Sequence, residues 1–164
     1  MNKNLEEYLN VCISFAKQHN IKKPENGYYS IYDFILEHGK EYDYMPKPDS
    51  VKAGRAKCCF MNAYMLVSQN KEYRYVEGYG VIKSIGFPIW HAWVIDDFDQ
   101  VIDNTWTDFG SYYYGTVLDF DYVEYIIDIG GIYGIIDNPD LQFPLLRGKH
   151  KYLGNGKVEY KVKL

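Results

Sequence analysis

Three residue types in this chain could together carry out nucleophilic chemistry: a cysteine, a histidine and an aspartate. Cys58 and Cys59 stand side by side at the head of an apolar run, and the chain has one further cysteine, Cys12. His91 and Asp103 each lie among apolar neighbours farther along. A thiolate can attack an acyl carbon, an imidazole can move the proton, and a carboxylate can orient that imidazole. The alternative is that these residues only fill a core.

The two adjacent cysteines open a predicted helix at about 58–70, which follows a loop at 45–57 containing Pro, Gly and Lys. The start of a helix offers unpaired N–H groups and partial positive charge, both of which favour a thiolate. One helical residue is a rotation of about 100°. Cys58 and Cys59 therefore cannot both face His91, and spacing alone leaves the choice open.

The histidine and the aspartate fall on two predicted strands of one hairpin. Segments 89–96 and 100–106 are rich in β-branched and aromatic residues and are separated by a short polar stretch. A turn centred near 97–98 would place His91 opposite residues 103–104, where paired Cβ atoms lie about 4.5–5.5 Å apart. This spacing suits a His–carboxylate hydrogen bond, although structural pairs of this kind also occur.

The remaining pattern predicts an α+β fold in one domain that spans residues 1–164, because helices come first and strands follow the cysteine helix. The expected elements are a helix at 4–19, a second helix capped by Ser30 with Asp33 and stopped at Gly39, a strand within 72–83, a helix at about 119–128 starting at Asp119 or Asp121, and a C-terminal hairpin with Val158, Tyr160 and Val162. The apolar face expected for the first helix consists of Leu5, Tyr8, Leu9, Cys12, Phe15 and Ala16.

Composition excludes several classes of function. The net charge of −4 gives no basic footprint for nucleic acid. No apolar run of membrane-spanning length and no signal-peptide core are present, which predicts a cytoplasmic protein with no membrane partner. The three cysteines have no CxxC spacing, so neither a disulfide framework nor a zinc site is expected. The 18 tyrosines indicate either a core and sheet surface that are partly exposed to water or an aromatic-lined binding groove.

Four segments, in this order, resemble the transglutaminase-like branch of the papain-fold cysteine enzymes. They are "CFMNA" at 59–63, "YVEGYG" at 75–80, "HAWVID" at 91–96 and "VIDNTW" at 101–106. A further segment, "YYYGTVLDF" at 112–120, is similar to one in small bacterial and viral members. The resemblance covers about residues 50–130. It implies a papain-like core, with the cysteine opening a helix packed on an antiparallel sheet and the His and Asp on adjacent strands.

The resemblance also assigns roles. In the family motif the nucleophile is followed by an aromatic residue, any residue and Asn-Ala, which matches Cys59 and makes Cys58 a packed thiol. His91 would act as base and then acid, and Asp103 would orient its ring. The expected reaction is attack on an amide by a protease, amidase or glutamine deamidase. A thioester would be resolved by water or an amine, without a metal or cofactor; the acidic residues form no Ca²⁺-loop pattern.

Four further residues are secondary candidates for the substrate and oxyanion sites. Relatives usually take the second oxyanion donor from a side chain shortly before the cysteine or nearby in the fold, and this chain has no Gln or Trp in that loop. Asn62 is the substitute, with a buried polar contact as its alternative role. Glu77 is expected to brace the cysteine loop or to line the sheet. Trp93 and Trp106 are expected in the core and cleft wall, or stacked on substrate.

The expected partner is a peptide, protein or small-molecule amide. A different class of function also fits the sequence: an inactive member of the family that uses its cleft for binding. The abundance of Lys, Asn, Ile and Tyr is typical of an AT-rich genome, as in many phages. It favours a phage protein that acts on a host defence component.

Overall fold

The computed structural model describes residues 3–19, 22–106 and 110–160, which form an α+β arrangement. The helices are α1 (Lys3–Gln18), α2 (Ile31–His38), α3 (Cys59–Gln69) and α4 (Phe120–Gly130). The strands are β1 (Lys40–Asp43), β2 (Arg74–Ile82), β3 (Pro88–Ile95), β4 (Val101–Ile102), β5 (Gly110–Val117), β6 (Lys151–Tyr152) and β7 (Val158–Glu159). The expected α+β class and N-terminal helices are therefore observed.

One antiparallel sheet of five strands organises the fold, in the order β1-β5-β2-β3-β4. Seven consecutive residues of β2 are buried, so both faces of the sheet centre are covered. Tyr75 and Tyr79 belong to the larger core on one face, together with residues of all four helices. Trp93 and Tyr113 belong to a smaller cluster on the opposite face. Since paired residues share a face, His91 lies on the same face as Trp93 and its partner Gly78.

Helix α3 packs against β3 and β2. It does so because Ala63 and Val67, four residues apart, form its buried stripe. This packing places the first turn of α3, with its two cysteines, beside the strand that carries His91.

The helical predictions were correct in position and mostly in detail. The Ser30 backbone N–H donates to the Asp33 carboxylate at 2.7 Å. At the other end of α2, the Gly39 N–H donates to the Ile35 carbonyl. Asp119, rather than Asp121, caps α4 by accepting from the Tyr122 N–H.

The predicted buried face of α1 was partly wrong. Phe15 is 62% exposed and Cys12 is only half-buried, whereas Ile13 is buried with Leu5, Leu9 and Ala16.

The strand predictions were less complete. The hairpin of β3 and β4 forms, but β4 has only two residues because the chain leaves the ladder at Asp103. Strands β1 and β5 were not predicted, although β5 lies inside the sheet. The C-terminal hairpin pairs Tyr152 with Val158, and Val162 lies outside the described residues. In the described part of the chain, no helix has the length and apolar character needed to cross a bilayer.

Candidate active site

Cys59 is the first residue of α3, and Cys58 is the residue that caps it. Cys58 has φ −121° and ψ 41° and makes no side-chain cap hydrogen bond, while its carbonyl accepts the Asn62 N–H at 2.9 Å. The Cys59 thiol is therefore held beside the unpaired N–H groups of the first helical turn. Both cysteines are half-buried free thiols.

His91, 1% exposed on β3, connects the other two predicted site residues. Its Nε2 lies 2.7 Å from Asp103 Oδ2, and the Cys59 side chain lies close enough to interact with its ring. Nε2 is used by Asp103, which leaves Nδ1 as the ring nitrogen available to a thiol. The structure thus brings Cys59, His91 and Asp103 together in the expected order, and it is Cys59 rather than Cys58 that contacts the ring.

The hairpin register differs from the predicted one. Val94 pairs with Ile102 and Ile95 with Val101, so the ladder is centred on residue 98. Continuing that register places Asp103 opposite Trp93, which makes His91 its diagonal neighbour. The long side chains bridge this diagonal, so the hydrogen bond forms although the predicted opposite pairing was wrong.

Asp103 accepts four hydrogen bonds, which is enough to satisfy a buried carboxylate. Oδ1 accepts the N–H groups of Thr105 at 2.8 Å and Trp106 at 2.9 Å. Oδ2 accepts the Tyr113 hydroxyl at 2.9 Å in addition to His91. Burial alone would raise the pKa of Asp103, but the bond and charge of His91 and the two backbone donors hold it below its usual value. Asp103 is therefore a fixed anion.

The electrostatics of His91 favour a charged ring. Burial alone would lower its pKa, but the hydrogen bonds and charges of Asp103 and Cys59 outweigh burial and raise the pKa to about 9. At neutral pH the ring is thus an imidazolium between a carboxylate and a thiol. An imidazolium beside a thiol stabilises the thiolate. This arrangement can prepare a sulfur nucleophile and hold a proton for a leaving group.

Trp106 stacks on His91, with ring centroids 3.9 Å apart and an interplanar angle of 15°. The bonds from Asp103 to the Thr105 and Trp106 N–H groups turn the chain and bring this ring over the imidazole. Gly80 makes room for it, since a Cβ there would lie 2.6 Å from the indole ring. Trp93 is a core residue, 1% exposed, 6.2 Å from the His91 ring centroid. Trp106 therefore covers the His91 ring, and Trp93 is a core residue near it.

Asn62 braces the loop before the cysteines. Its Oδ1 accepts the Arg55 N–H at 3.1 Å, and its Nδ2 donates to the Arg55 carbonyl and to Thr105 Oγ1, both at 2.8 Å. Both amide hydrogens are used, so no side-chain N–H remains for an oxyanion. The arrangement supports the alternative role, a buried polar contact that ties the cysteine loop to the segment after Asp103.

Glu77 is fully buried and lies on the face of the sheet opposite His91, since its pair is Ala92. It accepts the N–H groups of Ile135 and Ile136 and the hydroxyl of Tyr75, at 2.8–2.9 Å. Burial raises its pKa to about 7 against the opposing effect of these donors. Glu77 thus anchors the segment after α4. One of the two expectations was that Glu77 would brace the cysteine loop, but its hydrogen-bond partners are Tyr75, Ile135 and Ile136 instead.

Tyr113 and Thr105 were not found from the sequence. Tyr113 is one of three consecutive tyrosines in β5, and no local pattern separates it from its neighbours. Only the strand order, which pairs it with Gly80 of β2, shows that it faces Asp103. The Thr105 hydroxyl became identifiable only through its bond to Asn62.

Comparisons with protein-family models, with curated proteins and with solved structures found no match to this chain. Among the described residues, no three His, Cys, Asp or Glu side chains are grouped as ligands for a metal ion. The functional proposal therefore rests on the geometry of Cys59, His91 and Asp103.

Proposed function

We propose that this protein is a cysteine-dependent acyl-transfer enzyme of the transglutaminase-like, papain-fold type that hydrolyses an amide bond. The observation that carries the proposal is the placement of the half-buried Cys59, at the start of α3, beside the buried His91, whose Nε2 lies 2.7 Å from Asp103 Oδ2. The order of the elements adds support. A helix that opens with the cysteine packs on an antiparallel sheet, the histidine follows on β3, and the aspartate comes directly after the neighbouring strand β4.

The proposed reaction begins with the Cys59 thiolate and the His91 imidazolium. The sulfur attacks the amide carbon, an S–C bond forms, and the carbonyl electron pair moves onto oxygen. When this pair returns, the C–N bond breaks, and the His91 proton passes to the leaving nitrogen. The products of this half are an amine and a thioester on Cys59, with His91 neutral.

The second half resolves the thioester. Neutral His91 takes a proton from water as its oxygen attacks the acyl carbon, and collapse breaks the S–C bond. A carboxylic acid leaves, and the thiolate and imidazolium are restored. An amine in place of water would give a new amide by the same steps. Asp103 keeps the imidazole ring in position throughout and stabilises its charged form.

The developing oxyanion needs hydrogen-bond donors. The backbone N–H groups at the start of α3 supply one set, because the first turn of a helix leaves them without intrahelical partners. Cys59 is the first residue of that turn, so its own N–H lies next to the reacting sulfur. Asn62, whose amide hydrogens are both used, is not assigned a share.

Acylation by p-nitrophenyl acetate tests this proposal without knowledge of the substrate. We expect a rapid first turnover of nitrophenol and a mass gain of one acetyl group on the Cys59 peptide. His91→Ala should slow the burst by at least about 100-fold, the size typical of general acid–base catalysis. Cys58→Ala should retain it. Acetyl found on other residues, or a burst insensitive to His91→Ala, would instead indicate a binding module.

A further inference from the structure

A cavity of about 220 Å³ lies where the edge strand β1 meets β5 and the C-terminal hairpin. Sites for drug-sized ligands measure about 300–1,000 Å³, so this cavity fits only a small molecule or ion. Its lining includes Lys40 and Tyr42 of β1, Arg74 of β2 and residues 154–156 of the hairpin turn. The proposed catalytic residues are not part of this lining.

Two buried atoms of the lining residues have no hydrogen-bond partner among the described residues: the Tyr42 hydroxyl oxygen and Arg74 Nε. Tyr42 is 3% exposed. Buried polar atoms in folded proteins are nearly always hydrogen-bonded. Burial raises the pKa of Tyr42, so its hydroxyl keeps its proton and can donate, and the Nε–H of an arginine can only donate. The missing partner is therefore an acceptor.

The charges around these two donors favour an anion as that acceptor. Lys40 Nζ lies 5.2 Å from the centroid of the Tyr42 ring. Lys40 and Arg74 share one carboxylate, that of Asp99, at 2.7 and 2.9 Å. Two cations thus meet one anion, which leaves the cluster with a net positive charge. Among the described residues that line the cavity, none is acidic.

The two cations are held in place but can still be reached. Arg74 Nη2 donates to the Asp96 carbonyl at 2.6 Å as well as to Asp99, so the guanidinium is fixed while its Nε–H is left for another acceptor. The side chains of Lys40 and Arg74 are 51% and 40% exposed. The cluster is therefore open to an ion from solvent.

We infer that this cavity binds a small tetrahedral oxyanion of the phosphate type. The Tyr42 hydroxyl and the Arg74 Nε–H donate to its oxygens, and the Lys40 ammonium group balances its charge. Hydrogen bonds from donors to an ionised acceptor are among the strong ones in proteins. Donors from three residues match the four oxygens of such an ion better than the two oxygens of a carboxylate. The inference does not depend on the proposed acyl-transfer reaction.

Titration with inorganic phosphate tests this site, at pH 7.5 and at an ionic strength held constant with chloride. Nitrogen-15 NMR follows the Nε–H signals of the three arginines, Arg55, Arg74 and Arg147. The Arg74 signal should shift and saturate with a Kd of about 1 mM or tighter. The signals of Arg55 and Arg147, which do not line the cavity, should not shift. Sulfate should compete with phosphate, and acetate should bind at least about tenfold more weakly.

Two variants with matched controls locate the effect. Tyr42→Phe removes one donor and should weaken phosphate binding at least about tenfold. Tyr114→Phe, a buried change on the opposite face of the sheet, should leave the affinity unchanged. Arg74→Lys keeps the charge but lacks the Nε–H, so it should also weaken binding, whereas Arg147→Lys should not. Tyr42→Phe preserves the packing of the ring and tests the site even if Arg74→Lys fails to fold.

The outcomes separate a built site from general attraction of anions. No saturable shift of the Arg74 signal would overturn the inference. Equal shifts of all three arginines, or an affinity that survives Tyr42→Phe, would mean an adventitious ion only. Acetate that binds as tightly as phosphate would contradict the tetrahedral class of ligand.

Discussion

Asp103 lies diagonally across the β3–β4 hairpin from His91, and its Oδ2 is 2.7 Å from Nε2. The ladder ends at Ile102, so Asp103 is free to turn with the chain that follows. Its second oxygen accepts the N–H groups of Thr105 and Trp106. One carboxylate therefore orients the imidazole and also positions the Trp106 ring that covers it.

Tyr113→Phe tests whether the hydroxyl on Asp103 positions the carboxylate. The change removes one charge-assisted hydrogen bond, so the free energy of unfolding should fall by about 1.5–3 kcal/mol. The Asp103 carboxylate should then bind His91 more strongly. NMR titration of the His91 ring should accordingly show a pKa above that of the wild-type protein.

Tyr42→Phe is the matched control, because Tyr42 pairs with Tyr113 and is 3% exposed. Its hydroxyl has no hydrogen-bond partner in the described part of the chain. Removal should leave stability unchanged or slightly raise it. Equal effects of the two changes, with the His91 pKa unmoved, would mean that Tyr113 contributes only packing.

Gly80→Ala should displace Trp106 from His91, since the new Cβ would lie 2.6 Å from the indole ring. We expect a loss of about 1–3 kcal/mol in stability, as for other overpacked sites, and a slower alkylation of Cys59. Urea unfolding and the labelling rate are the two measurements. Gly134→Ala is the control, because its nearest atom would be 3.4 Å away. Unchanged labelling of Cys59 in Gly80→Ala would show that the position of Trp106 does not affect the reactivity of the thiol.

The His91–Asp103 pair should make stability depend on pH. The pKa of His91 is raised from 6.5 to about 9, so its stabilisation is complete below pH 6.5 and is lost as pH rises through 9. The loss in unfolding free energy should reach up to about 3 kcal/mol. Asp103→Asn should reduce this change in unfolding free energy with pH. The same pH dependence with and without Asp103→Asn would contradict the His91–Asp103 pairing.

Glu77 should act in a lower window. Burial raises its pKa from 4.5 to about 7, so the stabilisation is complete below pH 4.5 and declines as pH rises through 7. Glu77→Gln should remove that decline. It should also destabilise the fold by about 1–3 kcal/mol, because the amide sets a donor against Ile135, Ile136 or Tyr75. Asp137→Asn is the control. If the decline persisted in Glu77→Gln but vanished in Asp137→Asn, the group responsible would be Asp137 rather than Glu77.

The elements that carry Cys59, His91 and Asp103 could be predicted because each has a local signature. A cysteine at the start of an apolar helical run and alternating strands around a polar turn are short-range patterns. The turn centre, residue 98, lies within the predicted 97–98, but the position opposite His91 is one or two residues beyond the predicted 103–104 when the ladder register is continued, and no local pattern fixes this. The hydrogen bond still formed, because a diagonal pair on one face remains within reach.

The contacts and burial that the sequence did not reveal depend on how distant segments pack together. Tyr113 faces Asp103 only because β5 lies beside β2, a matter of strand order that periodicity does not encode. Glu77 accepts the N–H groups of Ile135 and Ile136, which lie far along the chain in a segment without regular structure. Phe15 continues the apolar stripe of α1 by spacing but is exposed, since Ile13 takes the core position. Tertiary packing decided each of these cases.

Selective alkylation of Cys59 at pH 6 tests the central claim most directly. At that pH an ordinary exposed thiol is well under about one per cent thiolate. A thiol beside the His91 imidazolium at a helix start should react far ahead of Cys12 and Cys58 with brief iodoacetamide treatment, as read by peptide mass. His91→Ala should abolish the preference, and Asp103→Ala should weaken it less. Equal, slow labelling of all three cysteines in the folded wild-type protein, unchanged by His91→Ala, would contradict the proposed nucleophile.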